Sequence, residues 1–339
     1  AIPDIGGIAV DQRAKVNNAT LRNRGWELSV NWSDQLKNGF SYGIGFNIFD
    51  YKAVVTKYNN PEGLIYNNHT GLVRNKGYYQ GMDLGEIWGY EANDLFLTNQ
   101  EVDEYLREVD MSFFKPNKDW QRGDLKYIDS NGDGKIDPGS GTLKDHGDLK
   151  IIGNTTPRYS FGLNLHAGYK GFEVSALFQG VMKRDFPMAA STYLFSGDSN
   201  FFKEHLDYYN VYNPGAYLPR LTKPDSPEYN ANVGYNTSRY LLNAAYMRLK
   251  NLMISYNFQP KLVKKMGLEN LKVYFTCDNL FTIDNLPDVF DPETLNQLNT
   301  WAGGSNETAP GLTSPMKQNG NGKVYPLNKN YVFGIEFTF

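Results

Sequence analysis

Asp129-Ser-Asn131-Gly-Asp133-Gly134-Lys135-Ile-Asp137 sets carboxylate and amide oxygens at the first, third, fifth and ninth places of a calcium-loop pattern. Gly134 permits the sharp turn at the sixth place, and the Lys135 carbonyl supplies the oxygen of the seventh. Hard oxygen ligands at that spacing fold around one Ca2+, which would pin a long loop. The pattern breaks at the twelfth place, where Ser140 stands instead of a bidentate glutamate, so Asp145 or Asp148 from the next turn is the expected substitute. The competing reading is an Asx- and Gly-rich turn without an ion, because these residues favour turns unaided.

The second candidate set is aromatic. Trp88, Trp120, Tyr208, Tyr209, Tyr212, Tyr217, Tyr229 and Trp301 fall in segments without strand alternation. Aromatic faces pack against the apolar C–H faces of sugar rings while Asp, Asn and Arg bond the hydroxyls, so together these rings suit a binding vestibule. For any single ring the simpler role is packing of its own loop. No catalytic constellation accompanies them: His69, His146, His166 and His205 lack zinc spacing, and neither a G-x-S-x-G elbow nor a phosphate-cradling loop occurs. The expectation is a protein that is not an enzyme.

The elements that position these residues are strands. Trp26, Leu28, Val30 and Trp32 alternate with Glu27, Ser29, Asn31 and Ser33, and after Lys37-Asn38-Gly39 the alternation resumes from Phe40 to Phe49. Tyr159 to Tyr169 and Phe172 to Met182 repeat the arrangement across Lys170-Gly171. A third pair runs from about Ala245 to Phe258 and from Leu271 to Phe281. The last strand sets Tyr331, Phe333, Ile335, Phe337 and Phe339 on one face. In each hairpin one face is apolar and the other small and polar, which suits a water-filled lumen better than a soluble core. His166 is expected to face that lumen.

Composition agrees. Aromatic residues make up 14% of 339 residues and charged residues 21%, with a mean hydropathy of −0.53. No apolar run is long enough for a membrane-spanning helix, so a closed barrel is the only spanning option. The net charge of −3 gives no basic footprint for nucleic acid. Cys277 is the one cysteine, so no internal disulfide is available.

Short links alternate with long segments at about 57–156, 183–243 and 283–328. Outer-membrane barrels have short periplasmic turns and long extracellular loops, and this asymmetry predicts that architecture, with the C-terminus periplasmic. Thr98-Asn-Gln-Glu101 predicts a capped helix from Asn99 to Val109 in the first loop. A small hairpin is expected within Gly81–Gly89. Seven strands are an odd number, which predicts the C-terminal part of a larger barrel. Residues 1–7 carry no signal-peptide pattern, and processing or a further N-terminal part is expected. Phe339 reads as an assembly signal.

Several segments together resemble one family: Asn17–Ser29, Gly89–Phe96, Gly123–Gly134, Ile152–Tyr159, Tyr246–Leu252, Asp278–Thr282 and Asp291-Pro-Glu293. The chain is similar, over nearly its whole length, to the C-terminal half of the SusC-like TonB-dependent transporters of Bacteroidetes. The resemblance implies an all-β transmembrane antiparallel barrel of about 22 strands around an N-terminal plug, with the plug and first strands outside residues 1–339. It further implies an outer-membrane location, a SusD-like surface lipoprotein over the extracellular mouth, and TonB-ExbB-ExbD acting through the N-terminal part. A dimer of such SusC–SusD pairs is also implied. The function it implies is active import of glycan oligosaccharides, with oligopeptide import the alternative and a passive porin the different class.

Overall fold

The sequence alternation is realised as seven long strands: β1 (Ala19–Gln35), β2 (Ser41–Tyr58), β3 (Arg158–Tyr169), β4 (Phe172–Lys183), β5 (Tyr246–Asn257), β6 (Asn270–Asp278) and β7 (Asn330–Thr338). The computed structural model describes residues 19–65, 78–92, 94–115, 117, 119–188, 203–223, 226–295 and 327–339. All seven strands pair in chain order as one antiparallel sheet, and the short strand Thr282–Asp284 adds to the end of β5. None of the described helices is long and apolar enough to cross a membrane.

Period-2 geometry sorts the side chains across this sheet. Opposed residues Val30, Phe46 and Leu163 continue one apolar row across β1, β2 and β3, while Asn31, Gly45 and Asn164 continue a small polar row on the other face. The apolar face is open: Trp32, Phe333, Ile335 and Phe339 are all more than 60% exposed, the reverse of what a soluble sheet tolerates. Glycines on the polar face give room to larger neighbours. A Cβ at Gly43 would fall within the His166 ring, and one at Gly334 within the Tyr274 ring.

Hairpin chemistry fixes the register. Lys170 and Gly171 both have positive φ, 49° and 90°, which matches the right-handed twist of the flanking strands in a two-residue turn. Pro260 opens a short helical connector, α3 (Pro260–Val263), and Gly267 with φ 76° ends its 3-10 extension. In β5 the pairing to β4 shifts between Leu249 and Asn251, so Lys250 is the extra residue of a β-bulge.

Two expectations need correction. β2 runs on to Tyr58 instead of ending near Phe49, because the charges that interrupt its alternation have partners: Arg158 for Asp50, and Asp83 for Lys52 at 2.6 Å. Gly81–Gly89 does not form its own hairpin. Gly81 and Leu84 run along β2, donating to the Val55 and Ala53 carbonyls, and Glu86–Gly89 pairs with Lys150–Asn154.

The described parts of the long segments between strands fold together as one cap. Tyr90, Phe96, Met111, Leu125, Tyr127, Ile136 and Leu149 are at most marginally exposed and form one core with Phe114, Trp120, Tyr209, Tyr229 and Tyr240. Phe114 stacks on Tyr127 at 4.1 Å, and Tyr90 meets both edge-on at 5.1 and 5.8 Å. Helix α1 (Asn99–Glu108) closes one side, with Thr98 Oγ1 accepting from the Glu101 amide at 3.1 Å, as the capping pattern predicts. Glu101 reaches back to the Leu97 amide at 2.9 Å and binds Lys126 at 2.8 Å. A second helix, α2 (Pro227–Val233), supplies Asn232 to the interior.

Candidate functional site

At the centre of this cap lies a carboxylate that no local pattern marks. Asp124 is fully buried, and its Oδ2 accepts from the Lys115 Nζ at 2.7 Å and the Gln121 amide at 2.9 Å. Its Oδ1 accepts from Arg220 Nε at 2.6 Å and Asn232 Nδ2 at 2.9 Å. Asn232 Oδ1 in turn accepts from the Leu125 amide at 2.7 Å. One carboxylate thus joins segments more than a hundred residues apart. Lys115 is equally buried and lies 4.4 Å over the Trp120 ring. Burial lowers its ammonium below the usual lysine range, and Asp124 opposes that shift.

Gly123 precedes this carboxylate with φ 85°, and a Cβ there would enter the Tyr209 ring. Only glycine meets both demands. Tyr209 is then held by its hydroxyl donating to the Leu97 carbonyl at 3.0 Å.

From this frame one turn projects. Tyr208–Tyr209 pairs in parallel with Leu218–Arg220, and Asn210 to Asn213 turn between them. The Tyr212 amide donates to Asn210 Oδ1 at 2.9 Å, the Asn213 amide to the Asn210 carbonyl at 3.0 Å, and Asn213 Nδ2 to Asp207 Oδ1 at 2.9 Å. Val211 and Tyr212 stand at the tip, with Tyr212 95% exposed. A fixed backbone therefore presents a free aromatic face flanked by amides and a carboxylate, the group types that bind polyhydroxylated or peptidic ligands.

The other sequence-predicted rings lie elsewhere. Trp88, Trp120, Tyr209 and Tyr229 are buried in the cap core, and Tyr208 and Tyr217 are half-buried at its border. Tyr217 donates its hydroxyl to the Arg239 carbonyl at 2.8 Å, and burial pushes that hydroxyl up to about 12. Trp301 lies outside the described residues. The seven described rings do not meet on one wall: most build the frame, and Tyr212 alone of them is fully presented.

The 129–148 loop has the turn geometry that the calcium pattern requires, with Gly134 at φ 82°. Its oxygens, however, bind its own backbone. Asp129 accepts from the Gly132 and Gly134 amides at 2.7 and 2.9 Å, Asn131 from Asp133, Asp133 from Lys135, and Asp137 from Gly139. Lys135 Nζ lies 3.5 Å from Asp137 Oδ2. Asp148 accepts from the Ser130 and Asp137 amides at 2.7 and 3.0 Å, and burial raises its carboxyl above the usual range. Asp145 is turned to Ser140 and is no part of the loop's first turn. Among the described residues no three His, Cys, Asp or Glu side chains gather at metal-ligating spacing.

A second ionic frame ties the wall to the last long segment. Arg248 binds Asp291 at 2.9 Å and Glu293 at 3.1 Å, and Lys250 binds Glu293 at 2.9 Å. Asp291 also accepts from the Leu327 amide at 3.1 Å. Arg184 is buried and donates to the Thr155, Pro292 and Leu295 carbonyls. Asp124, Asp291 and Glu293 all fall within segments that carry the family resemblance, but their partners lie too far along the chain for spacing to reveal.

No protein-family model matches the chain. It is 26% identical over 295 residues to TonB-dependent receptor P3 of Formosa agariphila, covering 86% of this chain and 27% of that protein. It is 24% identical over 328 residues to TonB-dependent receptor P26 of the same organism, covering 95% and 30%. The chain thus spans under a third of the length of these relatives. Its fold is similar to a solved structure of the RagAB peptide transporter, with a TM-score of 0.60 and 17% identity over 95% of this chain and 30% of that one. The 'closed-closed' state of the RagAB peptide importer gives a TM-score of 0.59.

Proposed function

We propose that this chain, whose sequence and fold are those of the SusC-like TonB-dependent receptors, forms wall and extracellular cap of an outer-membrane importer of glycan oligosaccharides. Its relatives are receptors, and the chain is not an enzyme. The observation that carries the transport reading is the seven-stranded sheet with an open apolar face and a small polar one. In lipid such a sheet needs closure, and closure places the polar face around water. The short links then face the periplasm and the cap faces outward, where a SusD-like lipoprotein would cover it and where TonB-ExbB-ExbD would act through the plug. Pairs of this kind would associate as a dimer.

The glycan reading rests on Tyr212 and its amide-bearing turn. Oligopeptide import is the second reading, favoured by the fold shared with a peptide importer. Uptake of labelled oligosaccharides and oligopeptides by cells making the full receptor and its lipoprotein decides between them. Oligosaccharide uptake abolished by a protonophore supports the proposal. Uptake of peptides alone selects the second reading, and protonophore-resistant uptake indicates a passive porin.

The calcium assignment belongs to the same proposal. Each carboxylate oxygen carries two lone pairs, so Asp129 and Asp133 keep acceptor capacity after their amide bonds. Asp129, Asn131, Asp133, the Lys135 carbonyl, Asp137 and Asp148 are the groups that would hold the ion, and its contribution would be to stiffen a loop already formed by Asx turns.

A further inference from the structure

The connector between β5 and β6 has a composition that neither transport nor the cap uses. Gln259–Glu269 holds Lys261, Lys264 and Lys265, with no acidic side chain before Glu269. Val263 is buried and anchors the connector, while Leu262 and Met266 are 50% and 60% exposed. Leu262 lies in α3 and Met266 ends its 3-10 extension, so both exposed apolar side chains belong to the same short connector as the lysines. The other short links add Lys37, the exposed Leu36, and Lys170, whose ammonium lies 5.0 Å over the Tyr169 ring.

This basic and apolar surface continues an aromatic girdle. Tyr256 packs on Phe172 at 4.5 Å and on Phe258 at 4.9 Å, and Phe337 meets Phe339 at 5.4 Å, all at the same end of the sheet. Aromatic girdles mark the level of the lipid headgroups. The connector starts immediately beyond Phe258, whose amide donates to the Leu271 carbonyl. Lysine stems extend along apolar surface and place their ammonium among phosphates, whereas exposed Leu and Met gain from the acyl boundary.

Resting on the outer-membrane reading above, we propose that the 259–269 connector is a docking surface for anionic phospholipid headgroups of the periplasmic leaflet. Lys261, Lys264 and Lys265 supply the charge, and Leu262 and Met266 supply the apolar contact. Each lysine near an anionic surface contributes about fivefold in affinity, so three give roughly 100-fold.

The test places the full receptor in nanodiscs with photoactivatable phosphatidylglycerol or phosphatidylcholine and maps the crosslinked residues. Labelling of 259–269 by the anionic probe about tenfold above the zwitterionic one, reduced by high salt and lost in K261Q/K264Q/K265Q, is the expected result. Equal labelling by both probes, or an anionic preference that survives the triple variant, overturns the inference. Capture of a periplasmic protein at these residues in whole cells, with no lipid preference, also overturns it. Heat-modifiable mobility reports whether the variant barrel is folded, and if it is not, the salt dependence of the wild-type labelling decides. Crosslinks at Tyr256 and Phe333 check the underlying reading separately. Their absence overturns the barrel assignment, while their presence beside an unlabelled connector overturns only the lipid site.

Discussion

Arg158 grips Asp50 with both arms of its guanidinium, Nε to Oδ1 and Nη2 to Oδ2 each at 2.5 Å, and the Tyr159 amide donates to the same carboxylate at 3.3 Å. Tyr159 has φ 53°, a left-handed conformation that is unfavourable for a tyrosine by roughly 1–2 kcal/mol. The fork holds this residue where β3 begins. Lysine cannot form two parallel bonds to one carboxylate, so Arg158→Lys is expected to destabilise the folded receptor by about 1–2 kcal/mol and Asp50→Ala by about 1–3 kcal/mol. Urea unfolding followed by heat-modifiable mobility measures both. An Arg158→Lys variant equal to wild type would show that charge, not the fork, is what matters.

Asp124 and Lys115 are not symmetric partners. Asp124→Ala leaves a fully buried ammonium without its counter-ion and is expected to cost about 3–5 kcal/mol in cap stability. Lys115→Met leaves Asp124 bonded to Arg220, Asn232 and the Gln121 amide, and a loss under about 2 kcal/mol is expected from an apolar replacement of similar length. Limited proteolysis of the cap, with Trp120 fluorescence as a local probe, orders the two. Equal losses would contradict the asymmetry.

For the 129–148 loop, Asp129→Ala together with Asp133→Ala removes acceptors for the Gly132, Gly134 and Lys135 amides. The loop is expected to become protease-sensitive whether or not calcium is present. In the wild-type receptor, calcium is expected to raise the protection midpoint and chelation to lower it. Protection indifferent to chelation would reject the ion and leave the Asx turns as the whole explanation.

Alkaline pH should open the cap. Burial raises Tyr127 and Tyr240 well above 10, and Tyr217 to about 12. Between pH 10 and 12 the unfolded chain has lost phenolic protons that the folded cap retains, so stability falls as pH rises. Tyr217 alone accounts for about 2–3 kcal/mol. Lys115, lowered by burial, acts in the opposite sense up to the ordinary lysine range. Loss of near-UV dichroism is expected between pH 10 and 12 and to be shallower in a Tyr217→Phe variant, whereas superimposable pH profiles of wild type and variant would show that this buried hydroxyl does not drive the transition.

The strands were legible because period-2 alternation is a local property. Trp26 to Trp32, Tyr159 to Tyr169 and Tyr331 to Phe339 each declare their faces within a few residues, and Lys170-Gly171 declares its turn. The upper half of β2 was not legible, since Asp50 and Lys52 fit a strand only once Arg158 and Asp83 are in place. The cap has no comparable local signature. Its rings carry no period, and their burial depends on contacts such as Leu125 to Asn232, 107 residues apart. For the same reason Tyr212 and Trp88 looked alike in the sequence, although one is free and the other buried.

The Asp124 hub and the Asn210–Asn213 turn rest on different sets of side chains. The hub fixes the cap through a buried carboxylate, ammonium and amide with Arg220 at their border, while the turn closes on its own asparagines and Asp207. A different pair of residues in place of Val211 and Tyr212 would alter what is greeted at the surface without asking the interior to be solved again. Change at the tip and upkeep of the interior become separable problems, because the bonds that shape the turn are not the bonds that close on Asp124.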